Sequence, residues 1–435
     1  MSRERSIREL HRENPERADA PAFGRRGLLK GAGLAAMGAA VGGAVPFASN
    51  LPAGLVPAAL AQTPAPSGPK LLKMDGKAEL VVLGDRPLVA ETPEHMLDDD
   101  VTPTEKFFIR NNGQMPEPTA TPDAWELTID GEVNTPLKIT LGELKKRFQP
   151  VTYRLQLECG GNGRSSFTPQ ASGNQWTNGG VGNAEWTGVR LKDVLQAAGL
   201  KPSAVYTGHF AADPHLSGDA SRITLSRGLP IAKAMEEHTL LAFAMNGKPL
   251  LPIHGFPLRV VAAGYPGSAS AKWLTRIWVR DREHDGPGMT GTAYRVPTVP
   301  MVPGGKADTK TFAVLESMPV RSIITNVRNG TELADGTRKV ALRGHAWAGE
   351  ETIKAVDLTF DFGQTWQSCA VDAPPNKYCW QNWRTEVALP SAGYFEFWVR
   401  ATDSKGRMQP PVAANWNPQG YGGNAIHRVA VLVKA

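Results

Sequence analysis

The sequence predicts an α+β domain followed by an all-β, immunoglobulin-like sandwich. Three observations carry this. Glycine (45) and proline (35) are abundant in the 435-residue chain, which favours loops and short strands over long helices. A Pro/Gly cluster over 297–305 marks a boundary. Beyond it apolar residues alternate with period two, with room for about seven short strands.

Taken in order, residues 24–30 read Gly-Arg-Arg-Gly-Leu-Leu-Lys, followed by a weakly apolar stretch and by Ala59-Leu60-Ala61. Paired arginines, a poor apolar core and a small-residue cleavage site predict a twin-arginine export signal over 1–61. The alternative, a membrane anchor, is disfavoured by the Gly/Ala composition and by Pro46 and Pro52. Export of folded proteins suits a chain that takes up a cofactor before leaving the cytoplasm. Residues 62–95 read as a linker and an irregular arm with one apolar run, Leu80 to Leu83. The α+β domain is expected over 96–305. Within it, Trp125 to Gly131 alternates as a strand. Thr140 with Glu143 makes a capping box for a short helix, and Val189 to Ala198 repeats that style. In the sandwich, 306–435, strands are expected at Val356 to Phe360, after the Asp361 turn, and from Tyr394 onward. Trp366, Trp380, Trp383 and Trp398 are expected to pack its core and interface.

Charge and cysteine count narrow the function classes. The net charge is +6, but residues 1–61 hold eight Lys/Arg against five Asp/Glu, so only +3 remains for the rest. That is not a nucleic-acid footprint. Three cysteines exclude a disulfide-dense scaffold and a cysteine-only zinc or iron–sulfur site. No CxxCH is present, so no covalently held c-type haem is expected. Cys369 and Cys379 could pair in an oxidising compartment or stay free thiols.

Two segments carry chemistry. In Leu155-Gln-Leu-Glu-Cys159-Gly-Gly-Asn-Gly-Arg164, an apolar strand delivers a cysteine into a glycine turn with an arginine beyond. A thiolate there would be a soft metal ligand, held ionised by turn amides and Arg164. A buried structural cysteine and a nucleophile are the competing readings, the latter without an assignable histidine. In His254-Gly-Phe-Pro-Leu-Arg259 and Ser270-Ala271-Lys272, basic groups separated by glycine turns suit a phosphate-bearing ligand. A solvated loop is the alternative.

Together these segments resemble the sulfite oxidase family of molybdenum enzymes, from about residue 95 to the end. The markers are Phe107-Phe-Ile-Arg110-Asn, the Cys159 turn, Asn183-Ala-Glu-Trp-Thr-Gly-Val, Met245-Asn-Gly, and the His254 and Ser270 segments. The closest look-alikes are exported bacterial sulfite dehydrogenases that pass electrons to a separate cytochrome. The resemblance implies that Cys159 is the protein thiolate on molybdenum beside a molybdopterin. Arg110 would sit at the anion pocket, with Arg164 as a further catalytic candidate. Tyr294 would hydrogen-bond a metal oxygen and assist proton transfer. His254, Arg259, Ser270, Ala271 and Lys272 would hold the pterin and its phosphate, with Asn112 and Asp213 beside them. The C-terminal sandwich would be a dimerisation domain.

The implied activity is oxidation of sulfite to sulfate, with one molybdenum per chain, no haem, and a c-type cytochrome as external acceptor. No nucleic-acid partner and no stable membrane insertion are expected. Three positions depart from the family pattern: Asn112 replaces a histidine, Gln419 an arginine, and Ser172 a lysine. The expected pocket is therefore less positive. A sulfoxide reductase, a sulfane-sulfur dehydrogenase and an exported β-rich binding protein are the alternatives.

Overall fold

The computed structural model describes residues 68–434. The expected export signal and the linker up to residue 67 lie outside the described residues. Among the described residues no helix is long and apolar enough to cross a membrane.

The arm expected to be irregular is a small antiparallel sheet of Val81–Asp85, Leu88–Glu91 and Ile109–Arg110. Its stabilising partner is distant in sequence: Leu80, Ala90 and Ile109 are buried in one cluster with Ile253. Local alternation could not show that contact. The pairing of Arg110 with Val89 holds Arg110 at the end of the last strand.

Two five-stranded sheets follow. One contains the long hairpin Pro150–Glu158 and Val181–Arg190, extended by Leu240–Met245. The other is built around Leu274–Arg280, which runs parallel to Glu126–Gly131 and antiparallel to Tyr206–Ala211. Their apolar faces share a core with the helices Leu141–Arg147 and Leu191–Ala198. The expected capping box is present. The Thr140 hydroxyl accepts from the Glu143 N–H at 3.2 Å, and the Glu143 carboxylate accepts from the Thr140 N–H at 2.8 Å. The second helix begins at Leu191 rather than Val189, because Val189 and Arg190 still pair with Leu241 and Leu240.

The Pro/Gly cluster is bracketed by a two-stranded ribbon, Arg295–Pro297 against Phe312–Val314. Beyond it, sheets of four and five strands pack on one core that includes Leu342, Val356, Trp383, Phe397 and Val431. Period-two burial along Lys339–Trp347 and Gly393–Asp403 explains the sequence signal. Trp380 and Trp383 are buried as expected. Trp366 and Trp398 are not core residues. Each is only partly buried and lies under a guanidinium, Arg400 at 3.8 Å and Arg428 at 4.0 Å. Cys369 and Cys379 are both free thiols, and Cys379 Sγ donates to the Arg154 carbonyl at 2.8 Å.

Buried polar contacts tie the sandwich to the preceding sheets. Lys233 pairs with Glu350 at 2.6 Å and donates to the Tyr378 hydroxyl at 2.9 Å. Glu158, the residue before Cys159, accepts from Trp347 Nε1 at 2.8 Å and faces Arg321 Nε at 3.4 Å.

Candidate active site

The strand Pro150–Glu158 ends by delivering Cys159 into a tight turn. Asn162 N–H donates to the Cys159 carbonyl at 2.9 Å, and Gly163 adopts φ +81°, where a side chain would be strained. A Cβ on Gly161 would lie 2.4 Å from Arg164 Nη2, so a larger residue there would displace the Arg164 guanidinium.

Opposite this turn, segments far apart in sequence close a cavity of about 820 Å³, counting its open mouth. Its walls include Arg110, Asn112, Cys159, Asp213, His254, Arg259, Ser270, Ala271, Lys272 and Tyr294. Ten of the eleven singled-out residues thus share one cavity. Arg164 does not line it. Its guanidinium is turned away, with Nε donating to the Gln419 carbonyl at 2.6 Å and Nη1 to the Asn174 carbonyl at 2.7 Å. Gln419 and Ser172, the departures expected to thin the pocket's charge, also lie off its walls.

The basic end is a buried cradle. Lys272 donates to the Asn111 side chain and to the Ile253 carbonyl at 2.9 Å. Arg259 donates to the carbonyls of His254 at 2.9 Å and Ser270 at 3.1 Å. The Ser270 hydroxyl accepts from Ala262 N–H at 2.9 Å. Lys77, which sequence reasoning missed, supports the cradle from behind. Its ammonium donates to the carbonyls of Thr104 and Phe107 and sits 3.0 Å from His254 Nε2. Sequence reasoning included Asn111 only as part of the Arg110 motif and gave it no role. Burial pushes Arg259 down to about 9 and Lys77 to about 7. It also holds Lys272 and His254 well below their usual values, reinforced by neighbouring cations. Asp213 is the single acid on the cavity wall, and burial raises it to about 6.

The other end holds the reactive groups. Burial pushes the Cys159 thiol up, opposed by Arg110 and Arg164. The Tyr294 hydroxyl donates to Asn112 Oδ1 at 3.3 Å. Tyr294 has φ 50°, an uncommon backbone state for an aromatic residue and one that aims its ring into the cavity. Its ring stacks on Tyr421 at 5.1 Å, and the Arg164 guanidinium lies 5.5 Å from the centre of the Tyr421 ring.

These residues fit a phosphate-bearing metal cofactor. Arg110 Nη1 and Ser268 Oγ are buried without a protein partner at the cavity wall. Clustered buried cations with one acid among them are unfavourable unless an anion joins them. A lone thiolate beside that cradle supplies a soft metal donor.

Comparison with known proteins agrees. The oxidoreductase molybdopterin binding domain matches residues 112–288, and the Mo-co oxidoreductase dimerisation domain matches residues 313–434. Sulfite oxidase of Gallus gallus is 32% identical over 368 residues, covering 80% of this chain and 77% of that protein. The chain belongs to the sulfite oxidase family of molybdopterin oxidoreductases. Mitochondrial sulfite oxidase of Homo sapiens is 33% identical over 375 residues, covering 81% of this chain. This chain spans just under two thirds, 66%, of that relative's length. Among solved structures, the sulfane dehydrogenase SoxCD from Paracoccus pantotrophus is similar, with TM-score 0.67 and 25% identity. That likeness covers 90% of this chain and 95% of the other.

The cradle makes a prediction for the cofactor-free protein. A lysine depressed by burial binds fewer protons folded than unfolded, so stability rises with pH between the two values. For Lys77 that window runs from about 7 to the ordinary 10.5. The midpoint of thermal unfolding should therefore climb from pH 7 towards pH 10, and Lys77→Met should flatten the climb. A profile that is flat or falling in wild-type protein would contradict the cradle's charge state.

Proposed function

We propose that this family member is an exported molybdenum-dependent dehydrogenase that oxidises sulfite to sulfate and passes electrons to an external c-type cytochrome. The observation that carries the reading is one cavity wall that joins a lone thiol, an arginine with an unpartnered buried donor, and a tyrosine hydroxyl. The sulfite oxidase relatives support the substrate. Paired arginines in the leader support twin-arginine export to the periplasm. The match to a dimerisation domain supports a homodimer formed through an immunoglobulin-like sandwich. The domain limits proposed are 1–61, 62–95, 96–305 and 306–435.

When bound, the molybdenum–molybdopterin group supplies oxygen-atom transfer and two-electron redox chemistry. Cys159 is the protein's ligand to the metal. Arg259, Lys272, His254 and Ser270 would hold the phosphate, and Ala271 would line the pterin's part of the cavity. Asp213, the acid on the cavity wall, would accept from N–H groups of the pterin. Arg110 binds the oxyanion, since a guanidinium stays charged and offers two parallel donors. Asn112 fixes the Tyr294 hydroxyl, which holds a proton close to the reacting oxygen. Arg164 serves from outside the cavity: it clamps the Cys159 turn and backs the Tyr421–Tyr294 stack.

A second reading, oxidation of a sulfane-sulfur substrate, is favoured by Gln419 standing where the family often has arginine and by the likeness to SoxCD. The deciding experiment is sulfite-dependent reduction of ferricyanide by molybdenum-replete protein. Turnover is expected to fall at least about a hundredfold in Tyr294→Phe, the lower end of the general acid–base range, and at least about tenfold in Arg110→Gln, which removes a charge-assisted hydrogen bond. Turnover of a persulfide with none of sulfite would transfer the assignment to the second reading.

A further inference from the structure

Arg227 also lines the cavity, and neither motif nor spacing singles it out. It is 1% exposed and follows Ser226 on the way into the strand Gly228–Pro230. Its guanidinium lies 4.9 Å from the Tyr294 ring. The group therefore belongs to the reactive end of the cavity, away from the cradle of Arg259 and Lys272.

What distinguishes Arg227 is its lack of partners. Its only hydrogen bond runs from Nη1 to the Gly288 carbonyl at 3.2 Å, and Nε is buried without a partner. The other buried arginines differ. Arg259 donates to three carbonyls. Arg321 has Glu158, two carbonyls and Asn178. Arg280 has Asp285 and His284. A buried guanidinium with a single hydrogen bond, to a carbonyl, and an aromatic ring as its other neighbour is expensive to keep charged. Burial correspondingly lowers its pKa from the ordinary arginine value. A packing role alone would be better served by an apolar side chain of similar length.

We propose that Arg227 is a second anion-binding arginine of the substrate site, which together with Arg110 holds the oxyanion end of a sulfur-containing substrate. This rests on the substrate reading above and deepens it. The site's positive charge is relocated rather than lost: Gln419 and Ser172 lie off the cavity walls, and Arg227 lies on them. Arg227 confers specificity for an anion with more than one charged or hydrogen-bonding oxygen, because Arg110 alone would satisfy a single carboxylate-like edge.

The test uses molybdenum-replete protein, so that the phosphate cradle is filled, and sodium sulfate as the probe at constant ionic strength. Calorimetry should show at least a tenfold loss of sulfate affinity in Arg227→Met and Arg227→Gln, with Arg227→Lys recovering part of it. Where sulfite is turned over, KM should rise at least tenfold while kcat changes less than threefold. The unfolding midpoint of Arg227→Met should be equal to or above that of wild type, since an unpaired buried charge is removed. A structural role would move it the other way. Unchanged sulfate affinity in a folded variant, undetectable sulfate binding by wild type, or unfolding of both neutral variants would overturn the proposal. Sulfate affinity that depends on Arg227 in a protein that does not turn over sulfite would uphold it and remove sulfite as the substrate.

Discussion

Cys159→Ala, produced with molybdenum in excess, is expected to lose more than about a hundredfold in turnover while keeping its fold. Changing even the outer partners of a metal ligand typically costs 10- to 100-fold, and Cys159 is the one thiol on the cavity wall. The fold should persist because the turn is held by other groups. Asn162 N–H reaches the Cys159 carbonyl, and Asn162 Oδ1 accepts from Gly180 N–H at 3.0 Å. Neither contact uses sulfur. Activity, metal content by mass spectrometry and near-ultraviolet circular dichroism report the three properties separately. Full activity in this variant would remove Cys159 from the chemistry and favour a purely structural cysteine.

Arg321→Ala should produce the largest loss of stability. Arg321 and Glu158 are 2% and 1% exposed at their side chains and lie 3.4 Å apart. Arg321 also donates to the carbonyls of Asn162 and Gly423 and to Asn178, so it joins the Cys159 turn to the sandwich. Removing one partner leaves Glu158 as an uncompensated buried carboxylate, which typically costs about 3–5 kcal/mol. At about 2 °C per kcal/mol for a chain of this size, the unfolding midpoint should fall by roughly 6–10 °C. Adding Glu158→Gln should restore part of the loss by removing the stranded charge. The recovery would be incomplete, because Trp347 and Asn162 also donate to that carboxylate. A shift below about 1 °C in the single variant would show that the pair contributes nothing net. Because Glu158 immediately precedes Cys159, metal retention should fall together with stability.

The periodic elements were the most legible part of the chain. Alternation marked the sandwich strands, and Thr140 with Glu143 marked a helix start to the residue. Side-chain period and cap chemistry are set by neighbours in sequence. The arm at 81–110 was less legible, because its sheet is stabilised by Ile253. Trp366 and Trp398, expected at the core or an interface, lie outside the core: strand alternation does not say which face a neighbouring sheet covers, and here arginines lie over the two rings.

The candidate site divides along the same line. Most of its residues could be singled out because glycine turns with basic residues mark ligand-binding loops, and because several ordered motifs together resemble one family. Arg227 and Lys77 were invisible, since each stands alone between unremarkable neighbours, and Asn111, though part of the Arg110 motif, carried no sign that it would meet Lys272. The direction of Arg164 was equally hidden. The sequence by itself determined the local grammar: which segments alternate, where helices start, and which turns bring a thiol and basic groups to the surface of a strand. Only the tertiary structure decided which charges share a wall, which are paired and which keep a buried donor without a protein acceptor. Pairing and burial depend on contacts between segments more than a hundred residues apart, from Arg110 to Tyr294, and it is burial that turns an ordinary arginine or lysine into a demand for an anion.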